Sequence, residues 1–365
     1  MNIIDATASY ENWLRTQLEV NEPDLDKKHE KMADSPFPFL RATFYRWIER
    51  LPKLHPQLLE APVVCAVGDL HVDNFGTWRD AEGRLVWGIN DFDEAYTLPY
   101  TNDLIRLATS IEFARVEKSH SLSLETACKV VLEGYREALE EGGEPFVLEE
   151  RHNWLRTAKA KLKTPEEYWR ELEEKGEKGG TGSKKTPQSP SEDALSILQD
   201  ALPEKAKLEK IKPRQSGVGS LGRPRFVAIA TWDGGKIARE VKAFAPSAVC
   251  WAWDVRAESP NGLETLSKNA VRCPDPFARL EKGWIVRRLA PYSFRIELKD
   301  MGDELNKEKL FRAMGYETGN VHLASKPATP AVLKHLEKWG VEGLLEQSSL
   351  MAEAMQKDYK EWREG

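Results

Sequence analysis

An apolar run at residues 63–67 stops at Gly68, and Asp69-Leu70-His71-Val72-Asp73-Asn74 follows at once. A run of that length suits a buried strand, so Asp69 and Asn74 fall in the loop at its end. From Phe75 the text FGTWRDAEGRLVWGIND reads as a strand, a turn around Glu82 and Gly83, and a second strand over 84–89. That second strand runs into Asn90-Asp91-Phe92-Asp93-Glu94. A chain that carries two acidic loops on neighbouring strand ends must bury the strands and bring the acids together at their tips.

Phosphoryl transfer needs a carboxylate near the acceptor hydroxyl and oxygen ligands for magnesium, a hard cation that prefers carboxylate and amide oxygens. Asp69 can supply the first, and Asn74, Asp91 and Asp93 the second. Asp and Asn in loops also cap helices and make turns, and either loop alone fits that reading as well. Together they favour a site. For His71, bracing of the loop is preferred to a part in catalysis, and Asp73 reads as solvated. Downstream, Pro99-Tyr100-Thr101-Asn102-Asp103-Leu104 puts Asp103 in the first turn of a helix, where it can accept backbone N–H bonds and brace a neighbouring loop.

Apolar spacing predicts helices over 38–51, 102–117 and 123–141. The stretch 174–193 (EKGEKGGTGSKKTPQSPSED) offers nothing apolar to bury and reads as a flexible linker. Beyond it stands Ser216-Gly217-Val218-Gly219-Ser220-Leu221-Gly222, a G-x-G-x-x-G string followed by a hairpin over 226–232 and 236–244, not by a helix. A dinucleotide fold needs the helix. A glycine loop between strands, then a lysine on the next strand, is how kinases cover ATP phosphates. Lys242 is that lysine, with Gly217, Gly219, Ser220 and Gly222 as the loop; a plain turn and a surface lysine are the alternative. Glu258 or Glu264 is the candidate partner of Lys242. Residues 284–289 form a further strand, and 290–292 a candidate hinge. Thr329 as N-cap and Pro330 open a last helix that Gly340 closes.

The blocks G-D-L-H-V-D-N and N-D-F-D-E resemble the catalytic and metal loops of aminoglycoside phosphotransferases and the wider protein-kinase-like superfamily. With S-P-F-P-F-L-R at 35–41 and G-V-G-S-L-G, they look like the bacterial family called domain of unknown function 2252. The resemblance implies Asp69 as catalytic base, magnesium on Asn74 and Asp91, and ATP phosphates under the glycine loop and Lys242. It implies an α+β, two-lobed, protein-kinase-like fold with a small β-rich lobe and a large helical lobe. The order of the motifs differs, because a kinase has its glycine loop first. A circular permutation accounts for this: 1–204 the catalytic part of the large lobe, 205–290 the small lobe, 291–365 helices returning to the large lobe. Permutation is tolerated where the old termini lie close together at the surface. Ala42 and Ala243 depart from the narrower family, which tends to have Gly and an acidic residue there.

Two rivals share these residues. A metallophosphoesterase begins with a similar D-x-H block, but none of the seven histidines sits in a G-N-H or G-H-x-H setting. A nucleotide-binding pseudokinase or sensor would keep the fold without transfer, although such proteins commonly lack one of Asp69, Asn74, Asp91 and Lys242. The net charge of −6, with both signs interspersed, gives no footprint for nucleic acid. No apolar run approaches the roughly 20 residues of a membrane span, and the four cysteines are scattered. The expectation is a cytoplasmic enzyme using ATP and magnesium on an unidentified small-molecule or protein acceptor.

Overall fold

Asn2, Asn21, Ser123, Ser191, Asn261 and Asp303 each precede a helix, and each side chain accepts an amide of its first turn. These caps satisfy backbone donors that a helix start leaves open. The computed structural model describes residues 1–117, 119–158, 164–174, 189–259, 261–291, 293, 298, 301 and 303–365.

Four helices come first: α1 (Ile3–Gln17), α2 (Glu22–Asp34), α3 (Pro36–Ala42) and α4 (Phe44–Leu54). The single helix expected over 38–51 is therefore two, parted at Thr43 with φ −124° and ψ 42°. The Thr43 hydroxyl donates to the Phe39 carbonyl at 2.7 Å, a local bond that competes with the helical ladder. Next come β1 (Val63–Ala66), β2 (Phe75–Arg79), β3 (Leu85–Ile89), β4 (Tyr96–Pro99), α5 (Thr101–Val116), α6 (Leu124–Glu141), β5 (Phe146–Val147), α7 (Asn153–Ala158) and α8 (Pro165–Glu174). Of the expected linker, 175–188 lies outside the described residues; Glu174 ends α8, and Glu192 and Asp193 open α9 (Glu192–Asp200).

The chain then forms β6 (Lys207–Pro213), β7 (Arg225–Trp232), β8 (Gly235–Ala243), α10 (Ala248–Ala252), α11 (Gly262–Asn269), β9 (Arg279–Glu281) and β10 (Trp284–Leu289). Two long helices follow, α12 (Glu304–His322) and α13 (Thr329–Glu364). Ala328, not Thr329, is the cap of α13. Gly340, at φ +55°, breaks its geometry without ending it, because apolar residues such as Leu344, Met351 and Met355 resume beyond and pack into the core.

The architecture is mixed α+β with antiparallel sheets. β1 pairs with β4, β3 lies between β2 and β5, and a five-stranded sheet runs β6-β7-β8-β10-β9. The five-stranded sheet has its own small cores. Ala194, Ile197 and Leu198 of α9 cover Phe226, Ala228, Val241 and Val286 on one face. On the other face Leu172 of α8 covers Val227, Ile229 and Ala238. Everything else shares one large core, into which α10 and α11 also send Ala248, Val249, Leu263 and Leu266.

α12 packs along α6 so closely that a Cβ on Gly134 would lie 2.0 Å from the Arg312 carbonyl oxygen, and one on Gly315 2.0 Å from that of Val131. This reciprocal contact lets the backbones meet where larger residues would hold them at the usual 8–10 Å. It sets α12 where His322 reaches Asp103 at the start of α5. Among the described residues, no helix is long and apolar enough to cross a membrane.

Candidate active site

The first acidic loop is held from below. Gly68 takes φ +81°, and a Cβ there would meet the Glu94 carbonyl oxygen at 2.3 Å, so only glycine lets the two loops touch. Asp103 accepts the Val67 and Gly68 amides at 2.7 and 3.0 Å, the bracing role its place in the helix suggested. His322 Nε2 donates to the same carboxylate at 2.9 Å, and its other ring nitrogen is 2.8 Å from the Tyr135 hydroxyl.

Asp69 is gripped by Arg106, one turn beyond Asp103 on α5. Arg106 Nε donates to Asp69 Oδ1 at 2.8 Å, and Nη2 bonds both that oxygen and the Leu40 carbonyl. The guanidinium is fully buried over the rings of Phe44 and Trp47. Burial pushes the Asp69 carboxyl up to about 7, against the opposing pull of Arg106 and with Glu94 and Asp91 adding to the rise. A carboxyl so placed can exchange a proton near neutral pH.

In the turn that follows, His71 Nδ1 accepts the Asp73 amide at 3.2 Å, and Asn74 Oδ1 accepts the His71 amide at 2.8 Å. His71 thus braces the loop. Asp73 is not simply solvated: it pairs with Arg41 at 2.8 Å, because the end of α3 lies against the loop. The Asn90 amide donates to the Asn74 carbonyl at 3.0 Å and joins the second acidic loop to the first.

Lys242, only 1% exposed, reaches down from β8 to Asp93 and lies 3.5 Å from Asp91. Arg287 of β10 is 3.6 Å from Asp91. Burial would raise the Asp91 carboxyl, but Lys242 and Arg287 outweigh it and hold the group well below the usual carboxylate range. Glu94 binds Arg223 at 2.6 Å and the Ala248 amide at 2.7 Å. Neither Glu258 nor Glu264 is the acid that meets Lys242. Glu258 accepts the Thr97 amide, and Glu264 bonds its own helix cap, Asn261.

The glycine string connects β6 to β7, and Gly217 takes φ +77°. A Cβ on Gly219 would meet the Arg41 carbonyl oxygen at 2.8 Å and Asp69 Oδ2 at 3.5 Å, so the loop rests directly on the first acidic loop. Asp69, His71, Asn74, Asp91 and Asp93 line one cavity, with Gly217, Gly219 and Ser220 over it. Ser220 Oγ accepts from Arg225 at 2.8 Å. Gly222 is set apart, at φ +95° against Leu25 and Val20 of the α2 region. Tyr292 of the expected hinge lies outside the described residues.

Residues 22–182 match the model of a family described as an uncharacterized protein conserved in bacteria (DUF2252). The matched DUF2252 span holds both acidic loops, Asp103 and Arg106, while the glycine string, Lys242 and His322 lie beyond it. No curated protein and no solved structure matches the chain.

The donor set suits a hard cation. Asp91 and Asp93 present carboxylates and Asn74 an amide oxygen, and Asp93 Oδ1 is buried without a hydrogen-bond partner among the described residues. Among those residues no three His, Cys, Asp or Glu side chains form a metal cage. Magnesium asks for less, since waters and substrate phosphates complete its octahedron.

The motifs give no place to Arg106, Arg223 and Arg287, and no role to Arg41, the end of S-P-F-P-F-L-R. Arg106 left a local trace, a cation three residues after Asp103 on the same helix. Arg223 and Arg287 come to the acids from distant parts of the chain.

Proposed function

We propose that this chain is a magnesium-dependent, ATP-binding phosphotransferase with a circularly permuted, kinase-like arrangement. The observation that carries the reading is the meeting of Lys242 with Asp91 and Asp93 beneath a glycine loop that rests on Asp69. Lys242 stands on the third strand of its sheet, after the glycine loop, as a kinase lysine does. Asp69 precedes that loop in the chain yet lies next to it in space, which supports the permutation.

Asp69 would orient the acceptor hydroxyl and take its proton, and Arg106 would hold the carboxylate in place and favour its ionised form. Lys242 and Arg287 would neutralise phosphate charge. Asn74, Asp91 and Asp93 would hold magnesium, which when bound supplies charge neutralisation for the transferring group. The cavity at Asp69 has about 50 Å³ of free space, far short of a nucleotide's needs, so ATP would enter as the glycine loop lifts.

A second reading, nucleotidyl transfer, is favoured by the sheet face beside Lys242. Cross-strand pairing puts Arg225, Glu240 and Arg287 on that face with Lys242. Glu240 stands two residues before the lysine, where the kinase V-A-I-K strand has alanine. The charges on that face, set among Val227 and Ile285, suit phosphates, and ATP lying reversed would offer its α-phosphate to the acceptor.

Calorimetric titration of ATP with and without magnesium, on wild type and on Asp91→Asn, tests the reading. Magnesium-dependent binding that Asp91→Asn weakens is expected; its absence in wild type would sink the proposal. Transfer of label from α- rather than γ-labelled ATP would select the second reading.

A further inference from the structure

The cavity beside Asp69 contains one cation to which the proposed chemistry gives no task. Lys28 of α2 lines it, is 3% exposed, and lies 5.8 and 5.4 Å from the ring centres of Tyr10 and Tyr45. The other cations at this end are matched: Arg41 with Asp73, Arg106 with Asp69, Arg223 with Glu94. Lys28 makes no hydrogen bond or ion pair among the described residues. Burial lowers its pKa to about 8, with Glu11, Glu94 and Asp69 opposing the fall and Arg223 adding to it.

A buried ammonium without a counter-ion is disfavoured unless something else supplies the charge. Two further donors point the same way. Among the described residues Arg41 Nε and Arg106 Nη1 are buried and without hydrogen-bond partners, and Arg41 lines the cavity with Lys28. Tyr10, Phe44 and Tyr45 complete an apolar wall around the ammonium. Lys242 lies elsewhere, on β8, bound to Asp93.

We propose that Lys28 anchors an anionic group, a carboxylate or a phosphate, on the hydroxyl compound whose proton Asp69 accepts. This rests on the phosphotransferase reading and names its acceptor class: hydroxy acids or phosphorylated alcohols.

The test uses inorganic phosphate and malonate as separate probes, titrated by calorimetry into the full chain, Lys28→Met and Lys28→Arg. Circular dichroism confirms that each variant is folded. At least one probe is expected to bind wild type, to lose about tenfold or more in affinity in Lys28→Met, and to be held by Lys28→Arg within about threefold. Phosphate or malonate alone responding identifies which anion the acceptor carries. Binding by neither probe, or equal binding to Lys28→Met and wild type, overturns the anion anchor. A parallel titration of wild type with magnesium and ATP separates the failures: ATP binding with no Lys28-dependent anion binding sinks only this inference, whereas loss of both sinks the phosphotransferase reading too.

Discussion

His322 Nε2 and Asp103 Oδ2 stand 2.9 Å apart although 219 positions separate them in the chain. Asp103 also carries the Val67 and Gly68 amides, so one buried carboxylate ties α5, α12 and the loop of Asp69 together. Asp103→Ala would leave two backbone donors and a histidine unpaired. The expected loss is about 3–5 kcal/mol of stability, read from the midpoint of urea unfolding. His322→Phe removes two bonds, to Asp103 and to the Tyr135 hydroxyl, and should lose about 1–3 kcal/mol. Equal, small effects for both would show that the loop holds itself.

The raised Asp69 carboxyl predicts a pH dependence. A base must be ionised, so turnover of magnesium-ATP should rise with pH through about 7 and level off above it. Arg106 favours the ionised form, so Arg106→Gln should move that limb to higher pH. Asp69→Asn should abolish the limb and slow turnover by about 10²–10⁴-fold. For stability the sign is opposite. A folded pKa above the unfolded value of 3.8 favours the protonated fold, so this stabilisation is present below that value and is lost as pH rises through about 7. A wild-type rate flat from about pH 5.5 to 8 would remove Asp69 as the base.

Lys242 and Asp93 form a buried pair whose halves depend on each other. Lys242→Met leaves the Asp93 carboxylate with Arg223 alone, 3.4 Å away, and should destabilise the protein by about 1–3 kcal/mol. Adding Asp93→Asn should restore part of that loss, a coupling that thermal unfolding of the four-member mutant cycle measures. Additive single effects would contradict a direct pair.

The crossing of α6 and α12 predicts a steric result. Alanine at Gly134 or Gly315 forces two helix backbones apart and should lower stability by about 1–3 kcal/mol. Gly235→Ala is the control: its Cβ would meet nothing nearer than the Trp232 carbonyl oxygen at 3.9 Å, and a change within about 0.5 kcal/mol is expected. Chemical denaturation of the three variants checks both statements.

What could be read from the chain was what local pattern encodes. The hairpin of β7 and β8, strand β10 and the spans of α5 and α6 follow from apolar periodicity, caps and turn residues. Asp103 as a brace followed from its place in a first helical turn. Lys242 followed from the glycine loop, but its acid partner did not, and neither did Arg223, because Lys242 meets Asp93 across 149 positions and Arg223 meets Glu94 across 129. A charge on a strand or loop looks the same in sequence whether it faces solvent or a distant acid. That is also why Asp73 read as solvated and why two glutamates near Lys242 looked like its partners. Thr43 divides a helix through a single hydroxyl bond that apolar spacing does not register.

The close fit of Gly134 and Gly315, with the His322 contact beyond it, bears on how the protein is made. During synthesis the acidic loops leave the ribosome early, but Lys242 and His322 emerge much later. Until α12 has emerged, α6 lacks the surface it packs on, and Asp103 lacks His322. A chain whose key contacts are so far apart in sequence folds slowly and exposes apolar helices while it waits. A fragment of residues 22–182 would hold the acids of the site but lack both of those later residues, and should be degraded or aggregate rather than fold as a unit.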